Sequence, residues 1–154
     1  MINVLFVCLG NICRSPMAEA LFRHLVQAES LSGQMTVDSA ATSSWHIGAP
    51  PHKGTLAILK ENGISADSLK GRQLQKEDFE AFDYIVGMDE SNISNIYQIL
   101  GQPEHPKILR LLDLTDNQKD VPDPYYTGDF QETYDLLTEG CKLLLKKIRE
   151  ENGI

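Results

Sequence analysis

Apolar and polar positions change their spacing from block to block along the chain, and the blocks predict an alternation of strands and helices. Residues 2–7, Ile-Asn-Val-Leu-Phe-Val, form a β-branched and large apolar run without polar alternation, as a strand buried on both faces requires. Residues 16–28 then place Met17, Leu21, Leu25 and Ala28 on one helical stripe, with Ala18, Phe22 and Val26 beside it. A second strand is expected over 35–40, and a helix over 53–62 that stops at Gly63, a residue type suited to helix C-termini. A third strand over 83–88, a helix over 89–100 ending at Gly101 and a fourth strand over 107–112 follow. After a long loop at 113–128 the last helix runs from about 130 to 151. Asp129 and Glu132 have capping-box spacing at its start, and Phe130, Tyr134, Leu137, Cys141, Leu144, Leu145 and Ile148 make its apolar face. Such alternation predicts a parallel sheet covered on both sides, a doubly wound α/β sandwich of three layers. Ligands in such sheets bind beyond the C-terminal ends of the strands, which directs attention to the loop after the first one.

A length of 154 residues suits one domain, spanning 1–154. No apolar run is long enough for a transmembrane helix, and the first residues lack a basic leader, so the expected location is the cytoplasm. Three cysteines, Cys8, Cys13 and Cys141, do not make a disulfide framework, and the four histidines form no ligand pattern, so no metal is expected. The formal net charge of −8 argues against nucleic acid or an anionic membrane as partner. It also means that an anion site here must draw its positive potential locally, from oriented amides, a helix N-terminus and one or two arginines.

The segment Cys8-Leu9-Gly10-Asn11-Ile12-Cys13-Arg14-Ser15, followed by Pro16, holds those parts. Gly10 and Asn11 tolerate positive φ, so the chain can curl with its N–H groups inward as an anion nest. Pro16 at a first helical position, with Ser15 as its N-cap, would bring the next helix's N-terminus to the same centre. That end of a helix favours a negative charge, a thiolate or a phosphate. Arg14 offers a planar fork to two phosphate oxygens. Cys8 beneath a bound phosphate would be a nucleophile with its target in place. The alternative, Cys8 as a small buried hydrophobe closing a strand, leaves the rest of the segment without a purpose.

These residues resemble the signature of the low-molecular-weight protein tyrosine phosphatases. The likeness covers nearly the whole chain, through Val7-to-Glu19 (VCLGNICRSPMAE), DSAATSSWHIGAPP, DYIVGMDESN and DPYY. It implies a four-stranded parallel sheet in a phosphotyrosine protein phosphatase I-like fold. It also implies hydrolysis of phosphotyrosine and small aryl phosphates through a phosphocysteine on Cys8, with Arg14 on the equatorial oxygens. Ser15 would donate to the Cys8 sulfur, Asn11 with Ser39 would hold the loop's shape, and Asp123, in Asp123-Pro124-Tyr125-Tyr126, would be the general acid and then base. Chemistry agrees, since a phenolate leaving group needs a proton that a carboxylic acid over the site can supply. Asp-Pro is by itself also an ordinary turn, and the pairing with the loop at 8–15 favours the acid. Leu9, Gly10, Ile12 and Cys13 complete the phosphate loop, and Trp45, Tyr125 and Tyr126 would wall a cleft deep enough to disfavour phosphoserine. His46 reads as a variable rim residue. The resemblance further implies tyrosine-phosphorylated proteins as substrates, no cofactor, and a monomer or weak homodimer.

Cys13 has two readings: inert packing at a helix start, or, as the resemblance implies, a reversible disulfide partner for the nucleophile. Cys141 lies on the last helix's apolar stripe and reads as core. Many animal members carry a histidine that supports the loop asparagine, where this chain has Leu69; Lys70 and Arg72 nearby are assigned no catalytic part. Three other functions fit the residues less well. An arsenate reductase of this fold needs a further pair of resolving cysteines, and only Cys141 remains. Protein-arginine phosphatases resembling this chain have threonine in place of Ile12, which cannot donate a hydrogen bond. A catalytically dead phosphate-binding module would lack Asp123 or Arg14.

Overall fold

The computed structural model describes all 154 residues. Four strands form one parallel sheet: β1 (Ile2–Cys8), β2 (Met35–Ala41), β3 (Tyr84–Gly87) and β4 (Ile108–Arg110), in the order β2-β1-β3-β4. Around them run α1 (Arg14–Ala28), α2 (Lys53–Glu61), α3 (Asp78–Ala81), α4 (Glu90–Leu100), α5 (Pro124–Thr127) and α6 (Phe130–Asn152). β1 is an inner strand, in register with β2 from Ile2↔Met35 to Cys8↔Ala41 and with β3 from Val4↔Tyr84 to Val7↔Gly87. Its pleat divides the core. Val4, Phe6 and Cys8 face a cluster of 27 buried residues shared with α1, α2 and α6, while Leu5 and Val7 face a cluster of 8 shared with α4. Because both faces are covered, polar alternation would strand a polar group in one core or the other, which explains the uniformly apolar run. Each of these fully buried large side chains contributes about 2 kcal/mol. No helix is long and apolar enough to cross a membrane.

The three-layer α/β sandwich with its four-stranded parallel sheet agrees with the expected fold, and the differences lie at element ends. α1 begins at Arg14, so Cys13 is its N-cap, without a side-chain cap bond, and Ser15 is not the cap. Ser15 turns its hydroxyl to Cys8 instead, and in the first turn the Arg14 amide is left free for another acceptor. Ala28, at the far end of the predicted stripe, is exposed. β4 is shorter than 107–112, because Leu111–Leu114 winds into a 3₁₀ turn whose Leu111 and Leu112 point into the core. Asp129 accepts from the Glu132 amide at 2.9 Å, but the Asp129 amide goes to Thr127 Oγ1, so half of the capping box forms. α3 and α5 have four residues each, too short for a periodic signal.

Gly140 of α6 faces Leu111, and a Cβ there would lie 2.6 Å from the leucine Cγ. That absence of a side chain lets α6 settle on the 3₁₀ turn that closes the sheet's open end.

Candidate active site

β1 delivers Cys8 to the C-terminal edge of the sheet, between the ends of β2 and β3. The chain then curls through residues 9–13 and enters α1, whose first residues Arg14 and Ser15 are buried. Asn11 takes φ +56°, a left-handed conformation, while Gly10 stays out of the positive-φ region expected for it. Gly10 is small for a different reason: a Cβ there would come within 3.2 Å of the His46 ring.

The strain at Asn11 is held by its own side chain, which Nδ2 ties to Ser15 Oγ at 2.7 Å and Ser39 Oγ at 2.9 Å, while Oδ1 accepts from the Arg72 amide at 3.1 Å. Direction propagates through this network. Ser39 Oγ donates to Glu19 Oε1 at 2.6 Å, and a carboxylate can only accept. Ser15 Oγ, accepting from Asn11, keeps its own hydrogen for Cys8 Sγ, 3.0 Å away. The sulfur also accepts from the amides of Asn11 at 3.3 Å and Ser15 at 3.4 Å. Three donors thus converge on one sulfur. Leu69 is packed in the main core, and the Arg72 amide with the Ser39–Glu19 pair supplies the support that a histidine would give.

Arg14 is 2% exposed, and its orientation is fixed by acceptors from two distant loops. Nη1 donates to Asp89 Oδ2 at 2.7 Å and to the Val121 carbonyl at 2.9 Å, and Nη2 lies 3.5 Å from Asp123 Oδ2. Burial alone would lower its pKa, yet the charges of Cys8, Asp89 and Asp123 outweigh that and hold it above the ordinary guanidinium value. Its Nε is buried and has no partner. Around the same centre the amides of Leu9, Gly10, Ile12, Cys13 and Arg14 donate to no protein acceptor. Their geometry is set from outside on one side of the loop: the Cys8 and Leu9 carbonyls accept from the amides of Thr42 at 2.9 Å and Ser43 at 3.0 Å. The Cys13 thiol is pushed up to about 12 by burial, with the Asp123 and Cys8 charges adding to it.

Above the loop lies a cleft of about 150 Å³. Cys8, Gly10, Ile12 and Cys13 line it from the loop, Trp45 and His46 from the segment after β2, and Asp123, Tyr125 and Tyr126 from the start of α5. Trp45 and Tyr126 are 69% and 74% exposed, so their ring faces are open to a ligand. Asp123 is the N-cap of α5, its Oδ1 accepting from the Tyr125 amide at 3.0 Å, which leaves Oδ2 toward Arg14. Every residue expected at the site except Ser39 lies in the loop or the cleft, and Ser39 lies directly behind the loop. Asp89, Glu19 and the Val121 carbonyl were not anticipated. An aspartate just after a strand that neighbours β1 was the available signal for Asp89.

The profile of the family described as low molecular weight phosphotyrosine protein phosphatase matches residues 3–153. The chain belongs to this family. Among its curated relatives is the low molecular weight protein-tyrosine-phosphatase YfkJ of Bacillus subtilis, 50% identical over the full length of both chains. The low molecular weight protein-tyrosine-phosphatase PtpA of Staphylococcus saprophyticus is 43% identical over 100% of this chain and 98% of its own. The crystal structure of YfkJ overlays with a TM-score of 0.96, covering 99% of this chain and 97% of that one. The crystal structure of the drosophila arginine phosphatase DARP overlays with a TM-score of 0.86 at 35% identity, covering 97% and 98% of the two chains. Phosphatases of both named specificities therefore share this chain's fold.

Proposed function

We propose that the chain is a protein-tyrosine phosphatase in which Cys8 attacks the phosphorus of phosphotyrosine and carries the phosphoryl group as a phosphocysteine. The observation that carries this reading is that five amides of the segment joining Cys8 to α1, and the buried Arg14 Nε, have no protein acceptor, while the Asn11 and Ser15 amides of the same segment turn to the Cys8 sulfur. An unsatisfied buried donor costs about 1–3 kcal/mol, and a fold tolerates several around one sulfur when an anion is their acceptor. A phosphate dianion supplies three oxygens for them, above the sulfur that attacks its phosphorus. Arg14, with Nη1 anchored, presents the unpartnered Nε together with Nη2, which has only the long 3.5 Å contact to Asp123, as the open edge of its fork. Asp123 protonates the leaving phenolate, then, ionised, takes a proton from the water that hydrolyses the phosphocysteine.

Ile12, Trp45, Tyr125 and Tyr126 give the cleft apolar and aromatic walls, which favour an aryl phosphate over phosphoguanidinium. Substrates are tyrosine-phosphorylated proteins of the cytoplasm, met by a monomer or weak homodimer, and no cofactor enters the reaction. Cys13 can close a disulfide on oxidised Cys8; its firmly held proton makes it a weaker attacking thiol than an open one.

The test is hydrolysis of p-nitrophenyl phosphate, which is expected without added metal and undiminished by EDTA, and is expected to vanish in Cys8→Ser while phosphate binding persists. Turnover by that variant excludes Cys8 as nucleophile. Phosphotyrosine, phosphoarginine and phosphoserine peptides should be cleaved in the order tyrosine first; a preference for phosphoarginine overturns the substrate assignment.

A further inference from the structure

We infer that the first turn of α2 is the outer clamp of the phosphate loop, with Thr55 and His52 as positioning residues that aim the Cys13 and Arg14 amides at the phosphate; this rests on the reading of residues 8–15 given above. In a trans peptide the C=O and N–H point to opposite sides, so tethering a carbonyl outward turns the following N–H inward. On the β2 side the tethers are backbone amides, those of Thr42 and Ser43. On the α2 side they are different. The Ile12 carbonyl accepts from the His52 amide at 2.7 Å, and its peptide carries the Cys13 N–H. The Cys13 carbonyl accepts from Thr55 Oγ1 at 3.1 Å, and its peptide carries the Arg14 N–H. Its other donor, the Met17 amide, is longer at 3.3 Å. Thr55 is fully buried, and its hydroxyl is thus a side-chain determinant of where a backbone donor points.

The same turn reaches the acid. The His52 ring accepts the Gly54 amide at Nδ1, capping α2, and stacks on Phe130 at 5.1 Å and 18°. Its edge meets Tyr125, 6.1 Å away at 79°, two residues after Asp123. Gly54 has no alternative here, since a Cβ would lie 2.5 Å from the Phe130 ring. One turn of helix therefore holds the donors on one side of the phosphate and the wall beside the acid on the other.

Thr55→Val and Thr55→Ser separate this role from simple packing. The readouts are inhibition of p-nitrophenyl phosphate turnover by inorganic phosphate, kcat/KM, and the urea unfolding midpoint. Thr55→Val is expected to weaken phosphate inhibition by about tenfold, with a matching fall in kcat/KM, whereas Thr55→Ser stays within about twofold. Thr55→Ser, having lost a buried methyl, is expected to be the less stable of the two. Wild-type phosphate inhibition in Thr55→Val, or an effect that follows stability instead of the hydroxyl, overturns the inference. Should Thr55→Val fail to fold, NMR of the wild-type protein decides: added phosphate must shift the Cys13 and Arg14 amide protons strongly downfield, and unmoved amides overturn it. Absence of turnover in the wild-type protein would instead strike the proposed function.

Discussion

Asp89 holds Arg14 across 75 residues of sequence, with Oδ2 2.7 Å from Nη1, and the same carboxylate caps α4 by accepting from the Asn92 amide at Oδ1, 2.7 Å. The two oxygens have separate tasks. Asp89→Asn keeps an oxygen for the cap and turns an amide toward the guanidinium. We expect kcat/KM for p-nitrophenyl phosphate to fall by about 10- to 100-fold, the loss of one charge-assisted hydrogen bond, with little change in the unfolding midpoint. A variant that keeps wild-type kcat/KM would mean that the Val121 carbonyl alone orients Arg14.

Asp123→Asn likewise retains an oxygen for the Tyr125 amide and removes the proton donor. The expected loss in kcat grows with the basicity of the leaving phenolate, about 100-fold or more for phenyl phosphate and less for p-nitrophenyl phosphate. Equal losses across a leaving-group series would deny Asp123 the role of acid.

Alkaline stability tests the burial of Cys13. Its thiol stands at 9.0 in an open chain and at about 12 in the fold. Between those values the unfolded chain has released a proton that the folded chain keeps. The contribution is therefore complete below pH 9.0 and is lost as pH rises toward about 12. One such proton lowers stability by about 1.4 kcal/mol per pH unit. Urea midpoints between about pH 9 and 11 should fall more gently in Cys13→Ala than in the parent. Tyr84 and Cys141, also held protonated, keep both curves descending. Parallel curves would show that Cys13 ionises freely in the folded state.

Gly140→Ala places a methyl against Leu111, which is fully buried and cannot move aside. Overpacking of this kind costs about 1–3 kcal/mol, and better helix propensity returns up to about 1 kcal/mol. The expected net is a lower urea midpoint with unchanged turnover per folded molecule. A stabilised variant would mean that α6 is not seated on the 3₁₀ turn.

What could be read from the chain was what is contiguous in it. Cys8 to Ser15 form one segment between a strand and a helix, so their association needed no knowledge of the fold, and Asp123 followed through the resemblance. Asp89, Glu19 and Thr55 act through partners 75, 20 and 42 residues away, and each by itself looks like an ordinary helix residue or cap. Ser15 misled for a local reason. As an N-cap it suits the start of a helix, but Asn11 and Cys8 compete for its hydroxyl and win, and the helix starts two residues earlier. Gly10 misled similarly: its permissive backbone goes unused, and the His46 ring that crowds it is a tertiary neighbour.

The inner position of β1 also has a consequence for synthesis. The segment of residues 8–15 leaves the ribosome before its supports: Ser39 and Arg72 lie 28 and 61 residues downstream of Asn11, and Asp89 and Asp123 75 and 109 downstream of Arg14. A nascent chain thus presents the Cys8 thiol before the side chains that pack around it have been made.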